Sequence, residues 1–159
     1  MGSTTTDRAT FFTGLAAEFL QHYWTGPRFV AVTGVADADL ASTADAFADA
    51  LRATGQHVER IRFSAGGEAD ELRADVVVPF RSRSPEGVLV VDGPGLLGDA
   101  LRGFWNFSVW TEHDPERDAD WSFVATGRKD PLGAPREVAS VIFDDADPEL
   151  PRRLFADSC

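Results

Sequence analysis

The stretch from Arg28 to Gly55 constrains the fold more than any other part of the chain. An apolar run, Phe29 to Val32, stops at Gly34 and gives way to a short loop of small and acidic residues. Ser42-Thr43 then opens an alanine-rich segment, Ala44-Asp-Ala-Phe-Ala-Asp-Ala-Leu-Arg-Ala-Thr-Gly55. A continuous apolar run is what a strand buried on both faces of a parallel sheet requires. The segment after the loop has helical spacing over residues 41–53: Ala44, Phe47, Ala48 and Leu51 share one face, with Asp45, Asp49 and Arg52 outward. Gly55 is placed as its C-cap. His57 to Phe63 alternates and reads as a second strand, completing a βαβ unit whose crossover is right-handed. In this order, backbone N–H groups and a helix N-terminus face whatever anion lies beyond the first strand.

The rest of the chain extends the same alternation. Phe11, Phe12, Leu15, Ala16, Phe19, Leu20 and Tyr23 recur at helical spacing, Thr6 or Asp7 can cap that helix, and Gly26-Pro27 stops it. Residues 75–80 (Asp-Val-Val-Val-Pro-Phe) predict a short strand near a sheet edge, because Pro79 cannot donate to a ladder. Arg81, Arg83 and Ser84 form a basic turn, and Val88 to Gly93 is a buried strand ending in the carboxylate Asp92. Leu96, Leu97, Ala100 and Leu101 suggest a short helix, Phe107 to Trp110 a strand, residues 112–121 a polar loop, and Val138 to Phe143 the last strand before an acidic tail. The expectation is an α/β fold, a mainly parallel sheet flanked by helices, in a single domain over residues 1–159.

Composition bounds the function. A net charge of −11 argues against a nucleic-acid duplex or an anionic membrane as partner. No apolar run reaches the roughly 18 residues a bilayer span needs. Cys159 is the only cysteine, so no intramolecular disulfide or thiolate metal cluster can form, and a reducing cytoplasm is the expected compartment. Cys159 itself reads as a terminal thiol rather than a nucleophile. His22, His57 and His113 show no metal spacing, and no nucleophile-elbow pattern suggests a Ser–His–Asp triad.

Four ordered stretches carry a likeness. They are Phe29-Val-Ala-Val-Thr-Gly34 with Ser42-Thr43 and Ala46-Phe-Ala-Asp-Ala-Leu51; Val88-Leu-Val-Val-Asp-Gly93; Leu101-Arg-Gly-Phe-Trp-Asn-Phe-Ser-Val-Trp110; and Ala139-Ser-Val-Ile-Phe-Asp-Asp-Ala-Asp-Pro148 with the closing Arg152-Arg-Leu-Phe-Ala-Asp-Ser-Cys159. In that order they resemble the uridine kinase-like branch of the P-loop NTPases, which transfer the γ-phosphoryl of ATP to a nucleoside hydroxyl. The resemblance implies a reduced nucleoside-kinase fold, Mg-ATP as cofactor, and a nucleotide or nucleoside as ligand. It implies phosphate contacts from Gly34, Ala36, Asp39, Ser42 and Thr43 in the loop and from Arg128 in the lid. It also implies a Mg²⁺ site at the Ser42 or Thr43 hydroxyl and the Asp92 carboxylate; the catalytic residue is not identified, Asp92 being the one candidate.

The departures from that family are severe. Its loop reads Gly-x-x-x-x-Gly-Lys-Ser/Thr, whereas Asp39, Leu40 and Ala41 stand in place of the second glycine and the lysine, in a loop one residue longer. The Asp-Asp-Phe that supplies its base is replaced by Ser64-Ala65-Gly66. The nucleoside-holding segment is cut short, and the lid keeps only Arg117, Arg128 and Lys129. A carboxylate about 5 Å from a phosphate charge costs roughly 3 kcal/mol at an effective dielectric of about 20, so Asp37 and Asp39 oppose phosphate unless they point away or hold Mg²⁺. The missing lysine removes a charge-assisted bond of about 1.5–3 kcal/mol.

The chain therefore reads as a degenerate family member, a pseudoenzyme that binds a nucleotide or phosphate ligand weakly or acts through a protein partner. The alternative is an ATP-dependent nucleoside kinase with an atypical loop and an arginine in place of the lysine. A third class, a structural or homo-oligomeric module, requires an exposed patch among Phe104, Trp105, Phe107 and Trp110, which otherwise read as core. Arg60, Arg62, Arg81 and Arg83 either converge on an anion at the strand ends or are solvated.

Overall fold

A computed structural model describes residues 7–35, 38–63, 69–98, 100–113 and 135–154. Its centre is β1 (Arg28–Gly34), buried along almost its whole length. β1 pairs in parallel with β3 (Val88–Asp92) on one side, Val30 opposite Val90, and with β4 (Phe107–Glu112) on the other, Val32 opposite Val109. β2 (Val58–Arg62) adds to β3, and β5 (Val141–Asp144) adds to β4, both in parallel. The short β6 (Arg152–Leu154) runs antiparallel to β5, so the sheet order is β2-β3-β1-β4-β5-β6.

Period-two alternation sends opposite sides of each strand into separate cores. Val30, Val32, Val88, Val90, Val109 and Phe143 face α1 (Arg8–His22) and α2 (Leu40–Ala53), packing on Phe12, Phe19, Phe47 and Leu51. Phe29, Ala31, Leu89 and Val91 face the other layer, which supplies Leu72, Val77, Phe80 and Leu96. α1 starts where the Asp7 carboxylate accepts from Thr10 N at 2.8 Å, an N-cap that holds Asp7 below the ordinary carboxylate range. Arg28 is 3% exposed and ties the amino end of the sheet together. Its guanidinium donates to Tyr23 O, Gly26 O, Glu86 O and Gln56 Oε1. Burial lowers its pKa, and Glu86 works in the other direction.

Residues 75–80 are helical rather than extended. They belong to one run made of α3 (Ala69–Leu72), a π-helical turn (Arg73–Val77) and α4 (Val78–Arg83). Pro79 has no N–H and its ring would crowd the carbonyl four residues back in a regular helix. The wider turn, with Val78 N donating to Arg73 O, relieves that position. It also lets a five-residue step keep Leu72 and Val77 on the buried face while Val78 is exposed. Three consecutive valines before a proline imitate a strand; only packing on the sheet selects the helix.

Other differences are smaller. At residues 96–98 and 100–101 the chain makes turns and bends, followed by a 3-10 turn at Arg102–Phe104, instead of a helix. The last parallel strand starts at Val141, after α5 (Pro135–Val138), and the acidic tail leads into β6. Among the described residues, no helix is long and apolar enough to cross a membrane.

Candidate phosphate cradle at the carboxyl end of the sheet

β1 lies where the chain connections diverge, towards β2 and β3 on one side and β4 and β5 on the other, which in open α/β sheets is where a ligand crevice forms. Gly34 ends β1 so close to β4 that a Cβ there would lie 2.1 Å from Thr111 O. Val35 N then donates to Thr111 O at 3.1 Å, Ala38 N turns back to Val35 O at 3.1 Å, and α2 begins. Gly34 thus ends β1, and Ser42 lies in the first turn of α2.

The start of α2 is closed by the chain itself. Asp39 is the N-cap of α2, and its carboxylate accepts from Ser42 N at 3.0 Å. Leu40 N donates to Ala38 O, and Thr43 N to Asp39 O at 3.3 Å. The Thr43 hydroxyl also turns inward, donating to Asp39 O at 3.2 Å, with the residue 1% exposed. Ser42 Oγ accepts from Arg8 Nη2 at 2.9 Å. A carboxylate thus takes a first-turn amide that would otherwise be open to an external anion.

Asp92, 1% exposed at the end of β3, accepts from Arg60 Nη1 at 2.5 Å through Oδ1. Its Oδ2 is buried and has no partner among the described residues. Arg60 also donates to Asp45 Oδ1 at 2.8 Å and to Ala41 O at 3.3 Å, bridging β2, β3 and α2. Burial works against the Arg60 charge, but hydrogen bonds to Asp92 and Asp45 overcome it and raise its pKa. Just past the ends of β4 and β5, His113 Nδ1 lies 3.1 Å from Asp145 Oδ1. Burial raises the Asp145 pKa, Asp144 adds to the rise, and His113 and Arg8 oppose it.

The structure brings Gly34, Asp39, Ser42, Thr43 and Asp92 to one end of the sheet. Ala36 and Arg128 lie outside the described residues, as do Asp37, Ser64 to Gly66, Arg117, Lys129 and Cys159. The four arginines considered as an anion cluster do not converge. Arg60 is paired with Asp92 and Asp45, Arg83 binds Glu59 at 3.1 Å, Arg81 lies 5.4 Å from the centre of the Phe29 ring, and Arg62 is exposed. Phe107 and Trp110 are buried and Phe104 and Trp105 half-buried, with Trp105 Nε1 donating to Leu96 O at 2.7 Å. Arg8 is absent from the sequence candidates. Its only sequence signal is a cation one residue past an N-cap, a place where helix dipoles disfavour positive charge.

These residues do not fit Mg²⁺ with a polyphosphate as they stand. Ser42 Oγ already faces a guanidinium, Asp39 holds the amide a phosphate would take, and one Asp92 oxygen is committed to Arg60. Among the described residues, no group of three His, Cys, Asp or Glu side chains is arranged to hold a metal ion.

No family model and no curated protein matches the chain. Among solved structures it is similar to a "possible uridine kinase" from Bacillus stearothermophilus, with 14% identity over 86% of this chain and 97% of that one and a TM-score of 0.62. A protein from Silicibacter sp. TM1040, assigned as a fructose transport system kinase, matches at 19% identity over 80% of this chain and 84% of that one, with a TM-score of 0.45. The fold is thereby an α/β fold of P-loop NTPase type.

Proposed function

We propose that this protein carries a P-loop kinase fold whose phosphate cradle has become self-capped. In this reading it binds a nucleotide or phosphate ligand weakly, or acts through a protein partner, and lacks efficient phosphoryl transfer. The observation that carries the reading is the Asp39 carboxylate on Ser42 N. A bound phosphate must displace that carboxylate or endure its charge, and the loop has no lysine to compensate. The aromatic stretch Phe104–Trp110 lends no support to a partner surface, since its aromatic side chains are buried or half-buried.

The kinase alternative draws on one feature, the unpartnered Oδ2 of Asp92, a carboxylate oxygen with no partner among the described residues. Thermal unfolding with millimolar Mg-ATP, Mg-GTP and uridine, together with an ADP assay, separates the two. A ligand at 100 times its dissociation constant adds about 2.7 kcal/mol of stability. The self-capped reading expects a far smaller shift and no ADP. A full shift with nucleoside-dependent ADP release would establish the kinase instead.

A further inference from the structure

We propose that Arg8 is a resident cation standing in for the divalent metal at Ser42, so that phosphate ligands reach this cradle in metal-free form. The inference rests on the weak-ligand reading above and deepens it. In a P-loop site the first-turn hydroxyl is the protein's oxygen on Mg²⁺. Here that hydroxyl is Ser42 Oγ, and Arg8 Nη2 donates to it at 2.9 Å.

The Arg8 guanidinium is built into this place by two other contacts. It lies 5.1 Å from the centre of the Phe12 ring, whose face attracts cations. It reaches Pro148 O at 3.4 Å, and its charge, with His113, opposes the rise that burial imposes on the Asp145 carboxyl. No carboxylate lies within ion-pair distance of it among the described residues. A divalent ion within bonding distance of Ser42 Oγ would sit about 4 Å from that charge and be repelled. Nor is the loss of the loop lysine made good by Arg60, whose guanidinium is spent on Asp92, Asp45 and Ala41 O. Among the described residues, Arg8 is the cation that remains beside the α2 N-terminus, and it suits the oxygens of a free phosphate ester.

The test is an ATP titration followed by thermal shift, with EDTA or with excess magnesium, on the wild type, Arg8→Ala and Arg8→Ala/Ser42→Ala. Arg8 is half-exposed, so its loss leaves the core intact. Magnesium should leave wild-type affinity unchanged or weaken it. In Arg8→Ala, ATP with EDTA should bind more weakly, while magnesium should tighten binding by about tenfold as the repulsion is lifted. The double variant should lose that gain along with the hydroxyl. Tightening of the wild type by magnesium to the same extent as Arg8→Ala would overturn the assignment. Identical ATP binding in every condition would also overturn it while leaving the weak-ligand reading in place. No response to ATP in any protein or condition would overturn both.

Discussion

Arg60 Nη1 lies 2.5 Å from Asp92 Oδ1, and the two side chains are 17% and 1% exposed. The pair ties the second strand to the third at the mouth of the cradle, and the same guanidinium holds the first turn of α2 through Ala41 O. Removing one partner of a buried ion pair leaves a charge without compensation, which costs about 3–5 kcal/mol. Arg60→Ala should lose that much in urea unfolding. Arg60→Met/Asp92→Leu, with both charges gone, should recover most of it. A loss in the double variant as large as in the single one would show that the pair matters for more than charge balance.

Asp39 caps a helix and, in the self-capped reading proposed above, also opposes an anion; two substitutions separate these effects. Asp39→Ala removes the acceptor for Ser42 N and should cost about 1 kcal/mol of stability. Asp39→Asn keeps an acceptor oxygen but removes the charge, so stability should change little while inorganic phosphate binds about tenfold more tightly. Thermal shift against phosphate concentration reads both quantities.

Gly34 should tolerate no side chain. A Cβ at this position would come within 2.1 Å of Thr111 O, a backbone atom that cannot swing aside. Gly34→Ala must part β1 from β4 and should cost about 3 kcal/mol or more. Circular dichroism melting will show it as a lower transition, or as failure to fold.

Arg28 is a buried cation served mainly by backbone carbonyls. Arg28→Met fills similar space and strands those acceptors, so it should destabilise by about 3 kcal/mol. Arg28→Lys should rescue only part of the loss, because an ammonium cannot span four acceptors set out for a planar fork.

Asp145 supplies a pH signature. Burial makes its carboxyl easier to protonate in the folded protein than in the unfolded chain, despite the help of His113. A group with a raised folded pKa contributes stability that is complete below the unfolded value, near 3.8, and is lost as pH rises through the folded one. Asp145→Asn keeps an oxygen for His113 without the charge. Its melting temperature relative to wild type should therefore rise as the pH is raised above about 4, and a difference independent of pH would contradict this account.

Much of the fold is legible because its central strands are buried on both faces. Phe29–Val32 and Val88–Val91 leave no polar position to misread, and Ala44, Phe47, Ala48 and Leu51 mark the helix between them. Residues 75–80 mislead because local propensity favours a strand there, while the π turn that accommodates Pro79 leaves no sequence trace. β6 escapes a reading of pattern because three residues containing two arginines carry no apolar alternation; its place is set by pairing with β5 and by Arg153 reaching Glu18. Of the candidate site, Gly34 at the end of β1 and the start of α2 are legible in the sequence. The place of Arg8 is not, since it is 34 positions from Ser42 and only the packing of α1 beside α2 brings them together.

The antiparallel β6 has a consequence for self-association. It covers the outer edge of β5 with a short, twice-charged strand whose Arg152 donates to Asp144 at 2.6 Å. Short charged margins of this kind deter strand-by-strand stacking between molecules. A chain cut after Leu150 would bare the hydrogen-bonding groups of an apolar strand, Val141-Ile-Phe, and become prone to fibrous or amorphous precipitation even with its core intact.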